Sequence, residues 1–171
     1  MFRRTLAPVF VVGLMLSTPH VAAGQAKGPP AAPEGTVLFI CEHGTVKSLL
    51  ATLLFDEYAA EVGLPMRAIS RGTAADSVVP PWMKAKLAES RLELGLWKPQ
   101  ALRPVDLSAA SFVVSFDVPA SASEGASGPR VRWDSLPPAS QEFAASRDAI
   151  KVRVHALVDS LNRARNVRRP K

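Results

Sequence analysis

Cys41 and Lys47 enclose five residues, and Ser48 follows at once, in the run TVLFICEHGTVKS from Thr36 to Ser48. Cys41 is the chain's only cysteine. A thiolate that attacks phosphorus or arsenic needs a stabilised sulfur anion, a cradle of amide donors for the nonbridging oxygens, and a cation to hold the dianion. This stretch carries candidates for all three. The backbone amides of Glu42, His43, Gly44, Thr45, Val46, Lys47 and Ser48 can form the cradle, Lys47 brings the charge, and the Ser48 hydroxyl can donate to sulfur. Gly44 permits the backbone angles that so tight a loop requires.

The elements around this run must aim it. Val37 to Ile40 are β-branched or large apolar residues, which predicts a buried strand. After Ser48 the spacing turns helical, with Leu50, Leu53, Leu54 and Tyr58 on one face and Asp56, Glu57 and Glu61 off it. In a strand, loop and helix of this order, the loop amides and the helix N-terminus converge on one anion site. The helix is expected over about Lys47 to Val62, ended by Gly63 with Pro65 beyond. Met66 to Ser70 then predicts a second strand, joined to the first by a right-handed parallel crossover.

Pro80-Pro81 opens a helix expected over Trp82 to Leu94, with Met83, Leu87 and Leu94 inward and Gly95 at its end. Val105 to Ser108 reads as a helical turn, Ser111 to Phe116 as a third strand, and Val131 to Trp133 as a fourth. The loop Pro119 to Pro129 is long enough to overhang a site. Ile150, Val154, Leu157, Val158 and Leu161 recur at helical spacing and predict a last helix against the sheet. The order implies an α/β fold, a doubly wound three-layer sandwich with a four-stranded parallel sheet and its site at the carboxyl ends of the strands.

Length and composition bound the rest. A chain of 171 residues, 47% hydrophobic, suits one core-forming domain. Arg3 and Arg4, the apolar run Leu6 to Leu16, and Val21-Ala22-Ala23 read as a signal peptide over 1–23, which predicts an exported, periplasmic or secreted protein. That run is about half of the ~20 residues a membrane span needs, so no stable span is expected after cleavage. Cleavage removes two arginines and no acid, lowering the formal charge from +6 to +4. A Pro-, Ala- and Gly-rich linker is expected over 24–35, the domain over 36–163 and a basic tail over 164–171. No basic stripe with interleaved aromatics supports a nucleic-acid partner. One cysteine, with His20, His43 and His155 out of ligand spacing, argues against a metal site, and no cofactor is expected.

The run VLFICEHGTVKS resembles the signature of low-molecular-weight protein tyrosine phosphatases and the related thioredoxin-coupled arsenate reductases: cysteine, five residues, arginine and serine after the first strand. Ala68 to Thr73, AISRGT, matches the family's Ser-Ala-Gly-Thr, and Lys98 to Phe116 is similar to its approach to strand three. Val131 to Ser140, VRWDSLPPAS, resembles the reductases' tryptophan followed by Asp-Pro-Ala. The resemblance implies a phosphocysteine on Cys41, a phosphoryl group held by Lys47 and the loop amides, and an acid near the second motif. Three positions depart from the pattern. Lys47 replaces the arginine, Gly44 the loop asparagine, and Pro137 the aspartate before Pro-Ala. Asp134 is the nearest carboxyl group and reads either as the general acid or as a turn residue after a strand. His43 or Glu42 could donate the proton instead, although Glu42 beside the thiol opposes a second negative charge.

The leading expectation is hydrolysis of a phosphomonoester, phosphotyrosine among the candidates, on a phosphorylated small molecule or phosphoprotein. The alternative is a catalytically impaired module of the same fold that binds an inorganic oxyanion or a partner. Arsenate reduction would need an external thiol, because the chain has no second cysteine to receive a disulfide. Val46 stands where many of the phosphatases have a second loop cysteine.

Overall fold

A computed structural model describes residues 33–168. The signal peptide expected from the sequence and residues 24–32 of the expected linker lie outside them, and the linker's last residue, Gly35, opens the first strand. The chain runs β1 Gly35–Cys41, α1 Lys47–Glu61, β2 Met66–Gly72, α2 Pro81–Glu89, α3 Pro104–Ala109, β3 Phe112–Ser115, a 3-10 turn Ala120–Ser123, β4 Arg130–Arg132 and α4 Phe143–Arg168. The sheet is parallel throughout, in the order β2-β1-β3-β4.

Alternation along β1 sorts the core into two layers. Val37, Phe39 and Cys41 face α1, α2 and α4, where they meet Leu50, Phe55, Met83, Ile150 and Val154. Leu38 and Ile40 face the other way, onto Leu107 of α3, Ala110 just beyond its end, and Val118. Phe39 is the centre of the larger layer, with Phe55, Phe116 and Trp133 at ring-centroid distances of 6.1, 6.2 and 6.0 Å. The fold is therefore the expected three-layer α/β sandwich, and it delivers Cys41 to the end of a central strand buried from Val37 onward.

Some element ends differ from expectation. The α2 helix stops at Glu89 and not Leu94, because the chain turns at Arg91, whose φ of 59° is incompatible with a right-handed helix. Met83 and Leu87 still face inward. The last helix is much longer than its apolar spacing indicated, and it carries Arg163 and Arg165 through to Arg168 in one continuous run, across the expected start of the tail. Among the described residues no helix is long and apolar enough to cross a membrane.

The pleat also separates neighbours in β2. Ser70 pairs in register with Phe39 and shares its face, whereas Arg71 pairs with Ile40 and points to the α3 side. There the Arg71 guanidinium is buried and donates to both oxygens of Asp106, at 3.0 and 3.2 Å, and to the Ser70 carbonyl at 2.8 Å. Arg103 adds a second pair to the same carboxylate. Burial alone would raise the Asp106 pKa, but hydrogen bonds from Arg103 and Arg71 overcome it and hold the carboxyl at about 2. Because that value lies below the ordinary 3.8, the contribution to stability is present above about pH 4 and is lost as pH falls toward 2. Asp106→Ala leaves Arg71 buried without its partner and is expected to cost about 3 kcal/mol or more, measured by urea unfolding at neutral pH. The deficit of the variant should shrink in acid.

Candidate active site

The loop between β1 and α1 is held from outside by the segment that follows β2. The carbonyls of Cys41, Glu42 and His43 accept the amides of Thr73, Ala74 and Asp76 at 3.1, 2.8 and 3.1 Å. The Gly44 carbonyl accepts the Ser70 hydroxyl at 2.8 Å. In a trans peptide the carbonyl and the next N–H point in opposite directions. Pinning four successive carbonyls outward therefore turns the amides of Glu42, His43, Gly44 and Thr45 inward, toward the sulfur. The Gly44 amide donates to Cys41 Sγ at 3.2 Å. No side chain caps the N-terminus of α1, so its first amides and the positive end of its dipole also face the loop.

Ser48 completes the sulfur's surroundings. Its Oγ lies 2.9 Å from Cys41 Sγ and 2.7 Å from the Ser70 hydroxyl. When the sulfur is ionised, Ser48 donates its one hydrogen to it, while the Ser70 hydrogen stays on the Gly44 carbonyl. All three side chains are buried. Cys41 nonetheless reaches a cavity of about 510 Å³, whose lining includes Glu42, His43, Val46, Lys47, Asp76 and Asp117. Its outer wall is formed by Pro80, Trp82, Pro138 and Ala139. The loop 119–129, expected to overhang the site, is not part of that lining. The segment from Trp133 to Ser140 takes its place, fastened through the Trp133 amide to the Ser115 carbonyl at 2.8 Å.

The charged residues are arranged differently from what spacing suggested. Lys47 lines the cavity, but its Nζ donates to Asp117 Oδ2 at 2.6 Å and to the Leu136 carbonyl at 3.4 Å. His43 Nδ1 and the Thr45 hydroxyl both meet the Asp76 carboxylate, which fixes the loop's middle. Thr45 and Ser48 are fully buried supports and not part of the cavity wall. Asp134 lies outside the cavity lining. It accepts the Asp117 amide at 2.9 Å and pairs with Arg132 at 2.8 Å. The Arg132 hydrogen bond, with that amide, holds the Asp134 carboxyl below the ordinary carboxylate range, so it is a brace kept ionised.

Sequence reasoning missed Asp117, Asp76 and Ser70. The signal for Asp117 was its place two residues after β3, at the carboxyl end of a strand, where sites of parallel sheets form. Asp117 is also held in the left-handed region, at φ 48°, by the Asp134 carboxylate on its amide and by its own acceptance of the Ser135 amide at 3.1 Å. Aspartate is among the residues that reach that conformation most readily, and these contacts fix it there.

A thiol at the floor of an open cavity, beside inward-turned amides and an uncapped helix N-terminus, has the geometry of a loop that could hold an oxyanion. The chain belongs to the low molecular weight phosphotyrosine protein phosphatase family, whose family model matches residues 36–125. Among solved structures it is similar to a thioredoxin-dependent arsenate reductase from Corynebacterium glutamicum, at 24% identity and a TM-score of 0.62 over 78% of this chain. The chain spans 65% of that protein's length. It is also similar to an arsenate reductase from Archaeoglobus fulgidus, at 27% identity and a TM-score of 0.57, covering 72% of this chain and 98% of the other. A low molecular weight protein tyrosine phosphatase from Bacillus subtilis shares the fold at 19% identity and a TM-score of 0.65, over 76% and 99% of the two chains. A search of curated protein sequences finds no match.

The family's loop asparagine does not fit this chain. Gly44 sits at φ +72°, and a Cβ there would lie 2.7 Å from the Gly72 amide nitrogen, a backbone atom. Gly44→Asn should therefore fail to restore a familiar loop. Both Gly44→Asn and Gly44→Ala are expected to lower the melting temperature by several degrees and to weaken sulfate binding at least tenfold, measured by thermal unfolding and calorimetry.

Proposed function

We propose that the domain hydrolyses phosphomonoesters through a phosphocysteine on Cys41. The observation that carries this reading is the sulfur's position at the cavity floor, accepting the Gly44 amide at 3.2 Å and within hydrogen-bond distance, 2.9 Å, of the Ser48 hydroxyl. The same donors that stabilise a thiolate can hold the nonbridging oxygens of a phosphoryl group in line with it. Lys47 supplies the balancing cation, as a point charge where a guanidinium would give a rigid two-pronged contact. Cys41 is only 7% exposed, so a slender phosphoryl group can reach it while the rest of the substrate stays outside. Trp82, 38% exposed on the outer wall beside Pro80, offers an aromatic ring a flat apolar face, which suits phosphotyrosine or another aryl phosphate.

A second reading is a module that binds an oxyanion or a partner without turning it over. It is favoured by one observation: Lys47 is engaged by Asp117, in a cavity that Glu42 and Asp76 also line. Arsenate reduction ranks below both, since a single cysteine requires an external thiol to finish the reaction. We also place the protein outside the cytoplasm, on the strength of the signal-like residues 1–23. Fractionation of producing cells with N-terminal sequencing of the product should show a chain that begins after Ala23.

Turnover of an aryl phosphate by the full chain tests the main reading, with Cys41→Ser expected to abolish it and keep sulfate binding. Lys47→Arg should raise the rate about tenfold to a hundredfold, the value of one further charged hydrogen bond of ~1.5–3 kcal/mol in the transition state. Sulfate binding without any turnover between pH 5 and 8 moves the assignment to the binding module.

A further inference from the structure

We propose that Asp117 is the proton donor of this site, and that binding of an oxyanion prepares it by drawing Lys47 away. The inference rests on the phosphatase reading for its catalytic half and on geometry alone for its binding half.

Asp117 and Lys47 line the same cavity as Cys41, and Asp117 is the carboxylate that touches the cation, at 2.6 Å. Its other oxygen is fixed by the Ser135 amide, and its backbone by Asp134. These contacts hold the carboxyl group at the cavity edge with one oxygen reserved for an exchangeable partner. Lys47 is the exchangeable one: a flexible side chain starting from the first residue of α1, with the loop amides beside its own backbone. A dianion in the cradle competes with Asp117 for that ammonium. If Lys47 moves to the dianion, Asp117 loses a cation and gains a doubly negative neighbour, and both changes favour its neutral, proton-carrying form.

The other ionisable groups around Asp117 do not oppose this. Glu42 and Asp76 of the cavity lining add negative charge, His43 is tied to Asp76, and Arg132 and Arg153 act on Asp134, whose carboxylate stands between them and Asp117 in the hydrogen-bond chain. Cys41 carries the nucleophilic charge and works in the same direction.

The chemical step then balances. The Cys41 thiolate forms an S–P bond as the P–O bond of the ester breaks. The proton on Asp117 passes to the departing oxygen, leaving an alcohol or phenol, phosphocysteine and the Asp117 carboxylate. In the second step that carboxylate accepts a proton from water as the water oxygen bonds to phosphorus and the S–P bond breaks. Phosphate, thiolate and protonated Asp117 result.

Two measurements test the proposal. The first needs no turnover: sulfate, which does not titrate near neutrality, is bound calorimetrically in two buffers of different ionisation enthalpy. With Cys41 replaced by serine, so that no thiolate can take a proton, the chain should take up protons on binding sulfate, and the same chain also carrying Asp117→Asn should take up none. Equal proton uptake by both would overturn the proposal whether or not the protein is an enzyme. The second uses leaving groups. Asp117→Asn should lose about 10²–10⁴-fold on phenyl phosphate, whose departing oxygen needs a proton. On p-nitrophenyl phosphate, whose departing anion is stable, the loss should be at least tenfold smaller. Asp134→Asn, which disturbs only the brace, should lose the same modest factor on both. An equal loss for Asp117→Asn on the two substrates would remove it from the acid role. Absence of wild-type turnover on either substrate would instead fail the phosphatase reading.

Discussion

The site depends on the direction in which four carbonyls point. If Cys41, Glu42, His43 and Gly44 did not hand their oxygens to the segment from Ser70 to Asp76, their peptide planes would be free to rotate, and no set of amides would converge on the sulfur. The cradle is thus built by a neighbouring strand end, which costs little because those carbonyls need partners in any case. This also explains why the loop tolerates the loss of an asparagine. The bracing that a side chain could give from within is supplied by the backbone of Gly72 lying against Gly44.

Charge is handled with the same economy. Three carboxylates and one lysine line a cavity whose ligand would be an anion, an arrangement that appears self-defeating if each charge is read alone. Paired, it is coherent. Asp76 is committed to His43 and Thr45, and Asp117 to Lys47. The cation is thus held by the protein itself.

The fold was legible because its signals are local and redundant: an apolar run into a glycine-containing loop, then a 3.6-residue period, repeated with the spacing of a parallel sheet. Cys41 and the amides beside it were legible for the same reason, being contiguous. What escaped was everything that depends on which strand end meets which. Asp134 was singled out by its nearness to Pro-Pro-Ala in sequence, yet the turn at Ser135, at φ 61°, leaves it bonded to an amide of another strand end. Asp117 sits in an unremarkable Phe-Asp-Val and acquires its place only when β3 is laid beside β1. The overhanging segment was misassigned because loop length says nothing about which way a loop folds.

The contact between Gly44 and Gly72 has a consequence for register. The guanidinium that the loop lacks is present one residue from Ser70, but on the opposite face of the sheet. Sliding β2 by a single residue would carry Arg71 to the thiol's side and bring Thr73 to where Gly72 now lies. A Cβ there would meet the Ala75 Cα at 2.7 Å and the His43 carbonyl carbon at 2.8 Å. One absent methyl group thereby pins the strand in the register that keeps Arg71 on the α3 side, paired with Asp106.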